Sequence, residues 1–327
     1  MCHIRRDKAA TMAKYYILPK RLIDRVPWIE TPVWVFEAGV FYILLGVVRL
    51  LPFPVARGLF ARLMGFAGYH SSAKRQVVLR NLEVVLPDAS AVQRAHVARE
   101  IFRATGRSAV ELFLLGRIWK RRARYLAFDL HPEALAAITS KEAIVFASAH
   151  TGAWQLCTFL GRKFDLSMSV LYAPDSNPWL NRFFIGRRRA FGGPLVPTVG
   201  GGREMIRELA AGRSVGAAFD TRIDQGEMAP FFGIPAPTNT LPAMLALRGY
   251  KVIPIRAVRL PGCRYRVEVM APLTPTDPEA PRHAKVFDLT RQLNEMFESW
   301  IRDDPGQWIC MKRRWPKDLS AVKAADV

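Results

Sequence analysis

Cysteine is scarce in this chain: there are four in 327 residues, Cys2, Cys157, Cys263 and Cys310, with no Cys-x-x-Cys pair and no histidine at ligand spacing beside any of them. That pattern points to a reducing compartment and to no structural metal. Acidic residues are also in deficit. Against 48 Lys and Arg stand 28 Asp and Glu, a formal net charge of +20, so the expected partner is anionic: nucleic acid, an acidic carrier protein or a membrane rich in anionic lipid. Aromatic residues are not interleaved with the basic ones as a base-stacking platform requires, and no reading motif is present. Nucleic acid is therefore the alternative rather than the expected partner. No internal repeat or low-complexity stretch interrupts the chain. Apolar residues make up 50% of it, which argues against disorder and leaves a large core to bury.

What the chain does have is one long apolar run. Residues 1–30 form a basic arm, in which Arg5, Arg6, Lys8, Lys14, Lys20, Arg21 and Arg25 outnumber Asp7, Asp24 and Glu30. From Val33 to Leu51 only Glu37 and Arg49 are charged. As a helix this stretch measures roughly 28 Å, about one hydrocarbon core and barely enough to span it. Pro52 and Pro54 close it, and Val55 to Phe66 then reads as an amphipathic helix with Leu59, Phe60, Leu63 and Met64 opposed by Arg57 and Arg62. Positive charge flanks the run on both sides, so a full span would carry one basic side across. The expectation is attachment by a short or shallow helix, with the body on the cytoplasmic side; the alternative is a core helix of a soluble protein.

The centre of the chain is the stretch 143–163, where the uncharged run Ala143 to Ala149 stops at His150 and Leu156, Phe159 and Leu160 then recur at helical spacing. This predicts a buried strand, a turn holding His150, and a helix. Ligands of open α/β sheets bind beyond the carboxyl ends of the strands, so His150 is a candidate general base. Before it, Ala73 to Leu115 reads as helical with a break at Pro87-Asp88-Ala89-Ser90, and Arg117, Lys120, Arg121, Arg122 and Arg124 form a basic run that can meet headgroups. After it, strands are expected at Met168–Ala173, Ser214–Phe219, Lys251–Val258 and Tyr265–Met270. Helices are expected at Trp179–Ala190, Arg203–Ala211, Leu241–Arg248 and Lys285–Arg302. The alternation is that of an α/β fold.

Three further features bear on chemistry. Val199-Gly200-Gly201-Gly202 opens a helix, where free N–H groups favour phosphate or carboxylate; a plain turn is the other reading. Gly212-Arg213-Ser214-Val215-Gly216 matches the hydrolase pattern G-x-S-x-G but has a helix before it and a strand after, the reverse of a nucleophile elbow. Asp220-Thr221-Arg222 follows a strand and reaches the edge that carries His150 if the two strands are parallel; pairing of Asp220 with Arg222 is the structural alternative.

The stretch His150-Thr151-Gly152-Ala153-Trp154, with Asn177-Pro178, Asp220, the block Pro230 to Thr238 and the end Gln307-Trp308 to Arg314-Trp315, resembles the bacterial lipid A biosynthesis acyltransferases. These late lauroyl or myristoyl acyltransferases belong to the lysophospholipid acyltransferase superfamily. The resemblance implies a glycerolipid acyltransferase-like mixed sheet flanked by helices. Its parts would be the arm at 1–30, a membrane-anchoring segment at 31–67, an acyltransferase domain at 68–316 and a tail at 317–327. It implies transfer of a fatty acyl group from acyl carrier protein or coenzyme A to a hydroxyl of a lipid A precursor or related membrane lipid, at the cytoplasmic face of the bacterial inner membrane, with no cofactor and no metal. His150 is then the base, and the Thr151-Gly152 N–H groups or an arginine the oxyanion donors. Gly152, Trp154, Asn177, Asp220, Phe232 and Gly233 are implied to bind substrate; apart from the resemblance, Arg187, Arg188, Arg189 and Arg222 are candidate phosphate binders. The chain departs from the family at five positions. Gln155 stands where the family has Glu or Asp, Ala153 where it commonly has Asn, Val199 for a lysine, Cys310 for an aromatic residue and Lys312 for a histidine. Gln155 can fix the imidazole tautomer but cannot stabilise imidazolium by charge, so a Gln155→Glu change is expected to raise the rate. A lipid-binding relative without turnover is the alternative.

Overall fold

In a computed structural model, residue 23 and residues 25–189, 193–198 and 200–317 are described. Most of the basic arm, Val199 and nearly all of the tail lie outside these residues.

The apolar run forms α1 (Glu30–Leu50), whose inward residues Ala38, Leu45 and Val48 are buried. Pro52 ends α1, but Pro54 lies in the first turn of α2 (Phe53–His70), where a missing N–H has no intrahelical partner to lose. The break at residues 87–90 separates α3 (Ser72–Val85) from α4 (Ala91–Phe113), and Ser90 with Gln93 makes a reciprocal capping box. Helices α2 and α4 touch at Gly106, where a Cβ would stand 2.2 Å from the Phe60 carbonyl oxygen. The short helices α5 (Leu115–Lys120) and α6 (Arg122–Tyr125) lead into the sheet.

The sheet has seven strands, β1 (Leu126–Leu130), β2 (Ile144–Ser148), β3 (Met168–Tyr172), β4 (Leu195–Pro197), β5 (Ser214–Ala218), β8 (Lys251–Leu260) and β9 (Arg264–Val269), in the order β1-β9-β8-β2-β5-β3-β4. The segment from β8 to β4 is parallel throughout; β9 runs antiparallel to β8, and β1 is parallel to β9. The uncharged run becomes β2 at the centre, buried at every residue. Its side chains divide the core by the two-residue strand period. Ile144 and Phe146 join the cluster that holds Leu45, Phe60, Val110 and Ile118, whereas Val145 and Ala147 join the one that holds Leu82, Leu209 and Phe297. Helices thus cover both faces. On the first face lie α7 (Pro132–Thr139), α8 (Phe159–Lys163) and α9 (Pro178–Arg189); on the second lie α10 (Gly201–Ala210), α11 (Leu241–Ala246) and α12 (Arg282–Asp303). A separate antiparallel hairpin, β6 (Glu227–Phe231) and β7 (Ile234–Thr238), packs on α12.

Two expectations need correction. The helix predicted directly after His150 is a 3₁₀ segment, Trp154–Thr158, followed by the single-turn α8. The strands β1, β4, β6 and β7 and the helix α7 have no counterpart in the predicted elements.

Candidate active site

Strands β2 and β5 are parallel neighbours with Ser148 opposite Ala218, so two residues further on His150 and Asp220 leave the same edge of the sheet. Their side chains meet: His150 Nδ1 and Asp220 Oδ1 are 2.7 Å apart. The carboxylate is buried, while the imidazole is 30% exposed. The other carboxylate oxygen accepts a hydrogen bond from Trp308 Nε1 at 2.9 Å. The Trp154 ring stands edge-on to the imidazole at 4.9 Å. With Nδ1 turned to a carboxylate, Nε2 is the nitrogen left to exchange protons with a ligand.

The charges reinforce each other. Burial works against ionisation of both groups. The Asp220 charge and hydrogen bond outweigh it and raise the His150 pKa above its ordinary 6.5, against a smaller opposing push from Lys312. Asp220 is held below the ordinary carboxylate value of 3.8, because the His150 charge and the hydrogen bonds from His150 and Trp308 overcome its burial.

The turn is set by backbone contacts. Gly152 has φ +58°, and a Cβ there would lie 2.3 Å from the Ala257 carbonyl oxygen, so only glycine fits this approach of the turn to β8. The C-terminal segment runs across the turn: Gly152 N–H donates to Gln307 O at 3.2 Å, Ile309 N–H donates to His150 O at 2.8 Å, and Thr151 pairs with Trp308. Behind it, Arg259 donates to the Gln307 side chain at 2.5 Å and holds the fully buried Glu111, which also accepts from Arg57 and Tyr265. Arg314, 1% exposed, locks the far end of the segment by donating to Pro237 O and Thr238 Oγ1.

Several residues expected at the site are placed elsewhere. The carboxylate on His150 comes from Asp220 and not from residue 155; the Gln155 Oε1 atom is buried with no hydrogen-bond partner. The N–H groups of Thr151 and Gly152 donate to the Ala149 and Gln307 carbonyls, so they are not free oxyanion donors. Arg222 pairs with Asp224 at 2.6 Å and donates to Trp315 O, leaving Asp220 to the histidine. Phe232 and Gly233, with φ of +52° and +70°, form the two-residue turn of the β6–β7 hairpin; Phe232 N–H donates to Glu298 on α12. Asn177, fully buried, accepts from Trp179 and Leu180 N–H at the start of α9 and donates to Trp34 O on α1. Arg187 and Arg188 lie over the Phe183 and Phe184 rings near the end of α9, and burial together with the charge of Arg49 lowers the Arg187 pKa. Arg189 ends that helix. Ser214 of the G-x-S-x-G match is buried in β5 and accepts from Ile144 N–H. The thiols near the site are not nucleophiles, since burial pushes Cys157 and Cys310 up to about 12.

Trp308 and Lys312 are the site residues that the sequence reading left without a role. Both lie in the motif-bearing end of the chain, which was the available signal.

An imidazole held by a buried carboxylate at the carboxyl edge of a mostly parallel sheet is placed where a ligand of such a sheet would bind and is able to exchange a proton with it. The family follows from the sequence as a whole. A model of the bacterial lipid A biosynthesis acyltransferases matches residues 31–317, and the chain belongs to that family. It is a lipid acyltransferase. No curated protein matches the chain. Among solved structures, the crystal structure of the 1-acyl-sn-glycerophosphate (LPA) acyltransferase PlsC from Thermotoga maritima is 13% identical, covering 76% of this chain and 98% of that one with a TM-score of 0.36.

Proposed function

We propose that this acyltransferase passes a fatty acyl group from a thioester, carried by acyl carrier protein or coenzyme A, to a hydroxyl of a lipid A precursor or related membrane lipid, with His150 as general base. The work is done at the cytoplasmic face of the inner membrane, to which residues 31–67 attach the domain at 68–316. The observation that carries this reading is the 2.7 Å contact between His150 Nδ1 and buried Asp220, on a ring that is still 30% exposed.

In this mechanism Asp220 holds the tautomer with the proton on Nδ1. Nε2 removes the proton of the lipid hydroxyl as its oxygen attacks the thioester carbonyl carbon. The tetrahedral intermediate collapses to the ester, the carbon–sulfur bond breaks, and the imidazolium returns its proton to the departing thiolate. Asp220 stabilises that imidazolium by charge, the part that Gln155 could not play. The oxyanion needs donors or a cation; a cation whose charge reaches the imidazole is Lys312. Trp154 is assigned to substrate on the family resemblance, and Arg187, Arg188, Arg189 and Arg222 are assigned to substrate phosphate by their charge. Gly152 shapes the turn, while Asn177, Phe232 and Gly233 act through the scaffold.

The test is transfer from acyl carrier protein and from coenzyme A thioesters to membrane lipid, read by mass spectrometry. His150→Ala should abolish the new ester. Unchanged turnover in that variant removes His150 from the mechanism. Lys312→Met should lower kcat with little change in KM; a pure KM effect would move Lys312 from the oxyanion to substrate binding.

A further inference from the structure

Behind the turn that carries His150 lies a cluster of charges that the proton transfer does not use. The Glu111 side chain on α4 is fully buried, and that of Arg259 on β8 is 5% exposed. Arg259 stands opposite Tyr265 of β9 in the antiparallel register, so the two side chains leave the same face of the sheet and meet one carboxylate. Arg259 grips Glu111 with two nitrogens, Nε to Oε1 at 2.9 Å and Nη2 to Oε2 at 2.6 Å. Nη2 also donates to Ser108 Oγ, one helical turn before Glu111, at 2.8 Å. Arg57 Nε on α2 and the Tyr265 hydroxyl donate to the same carboxylate, at 3.1 and 2.9 Å. With the fork filled in this way, the direction of the third nitrogen is fixed, and along it Nη1 donates to Gln307 Oε1 at 2.5 Å.

Gln307 is where the C-terminal segment meets the turn. Its carbonyl accepts from Gly152 N–H at 3.2 Å, and the next residue, Trp308, pairs with Thr151 and donates its indole N–H to Asp220 at 2.9 Å. Strand β8 also touches the turn two residues before Arg259, where Ala257 O accepts from Ala153 N–H at 2.8 Å. Through one side-chain bond, then, Arg259 fixes the residue that holds the turn bearing His150. That residue is the chain neighbour of the one that holds the carboxylate.

Stability is a weak account of such a cluster. Two guanidiniums and a carboxylate give up hydration in it, and their mutual attraction need not recover that loss. What the cluster supplies is direction: a planar fork seated on both oxygens of a carboxylate has one orientation, which the point charge of an ammonium does not have.

We propose that Arg259, oriented by Glu111, is a positioning residue for acyl transfer: it anchors Gln307 and so sets the Gly152 turn and the Trp308 indole around the His150–Asp220 pair. This rests on the reading of His150 as the base.

The assay is acyl transfer to membrane lipid by the full chain, with kcat, KM, a pH–rate profile and a urea midpoint for each variant. Gln307→Ala removes the anchor and leaves the donors to Glu111 in place. Its urea midpoint should stay near the native one, while kcat falls roughly ten- to a hundredfold with little change in KM. The limb of kcat/KM, which Asp220 holds above 6.5 in the native chain, should move down toward 6.5 as the contact with the imidazole loosens. Gln307→Glu keeps an acceptor for Nη1 and should recover most of the lost turnover. Arg259→Lys keeps a positive charge beside Glu111 but cannot reach Glu111, Ser108 and Gln307 together. It should reproduce the loss in kcat, and adding Gln307→Ala to it should cost nothing further. Losses that multiply in the double variant overturn the positioning role, because the two residues would then act separately. A kcat loss in Gln307→Ala that only follows the fraction unfolded overturns it too. His150→Ala in the same assay separates the two readings. Native turnover in Gln307→Ala beside an inactive His150→Ala removes the positioning role and leaves the base in place, whereas turnover in His150→Ala removes the base and the positioning role with it.

Discussion

Asp220 receives two hydrogen bonds from residues far away in sequence, His150 and Trp308, and this makes it the group on which the imidazole depends. Asp220→Asn keeps the shape, but an amide cannot stabilise imidazolium by charge; the analogous change in a serine protease triad lowers turnover roughly ten-thousand-fold, and a loss of that order is expected here. It should also move the pH dependence. Asp220 raises the His150 pKa, so the native rate should climb with pH through a value above 6.5 as the base form appears, and the variant's limb should lie at lower pH. A pH–rate profile of kcat/KM for both proteins checks this. Gln155→Glu separates the two candidate partners: because Asp220 already provides the carboxylate, no gain in turnover is expected, and a gain would return the role to residue 155. The sequence showed His150 at a strand end and placed Asp220 on the same edge only if two strands were parallel. That pairing spans 70 residues and leaves no trace in local spacing.

Among the elements, those that matched the sequence reading were buried on both faces or strongly amphipathic. The run at 143–149 became β2 because seven residues without charge have no face for water, and α4 kept its break because Ser90 and Gln93 cap it. The elements that were missed carry mixed signals. Strand β1 alternates half-buried and exposed residues and includes Asp129; β4 has three residues and ends in Pro197; the hairpin strands contain Pro230, Pro235 and Pro237, which a reading of propensity assigns to loops. The segment after His150 winds as 3₁₀ because Gly152 turns the chain against β8 first. Gly152→Ala therefore tests the turn as a unit. The positive φ and the 2.3 Å approach to the Ala257 oxygen should together destabilise the fold by about 3 kcal/mol and misplace His150, seen as a lower urea midpoint and a loss of turnover beyond the fraction unfolded.

For the whole molecule, the same ion pair gives stability a defined dependence on pH. The Asp220 pKa is lower in the folded chain than its ordinary 3.8, so its contribution is complete above that value and is lost as pH falls through the folded pKa. The His150 pKa is higher than its ordinary 6.5, so its contribution is complete below 6.5 and is lost as pH rises through the folded pKa. Both conditions hold together between 3.8 and 6.5, where the folded pair is fully charged. Over that window the native chain should exceed Asp220→Asn in stability by the widest margin, and the gap should narrow toward alkaline pH as the imidazole loses its proton. Urea titrations of both proteins at a series of pH values measure the gap. A gap that instead grew above pH 7 would mean that the carboxylate is stabilised by Trp308 and the backbone alone, and that the imidazole is not its counter-ion.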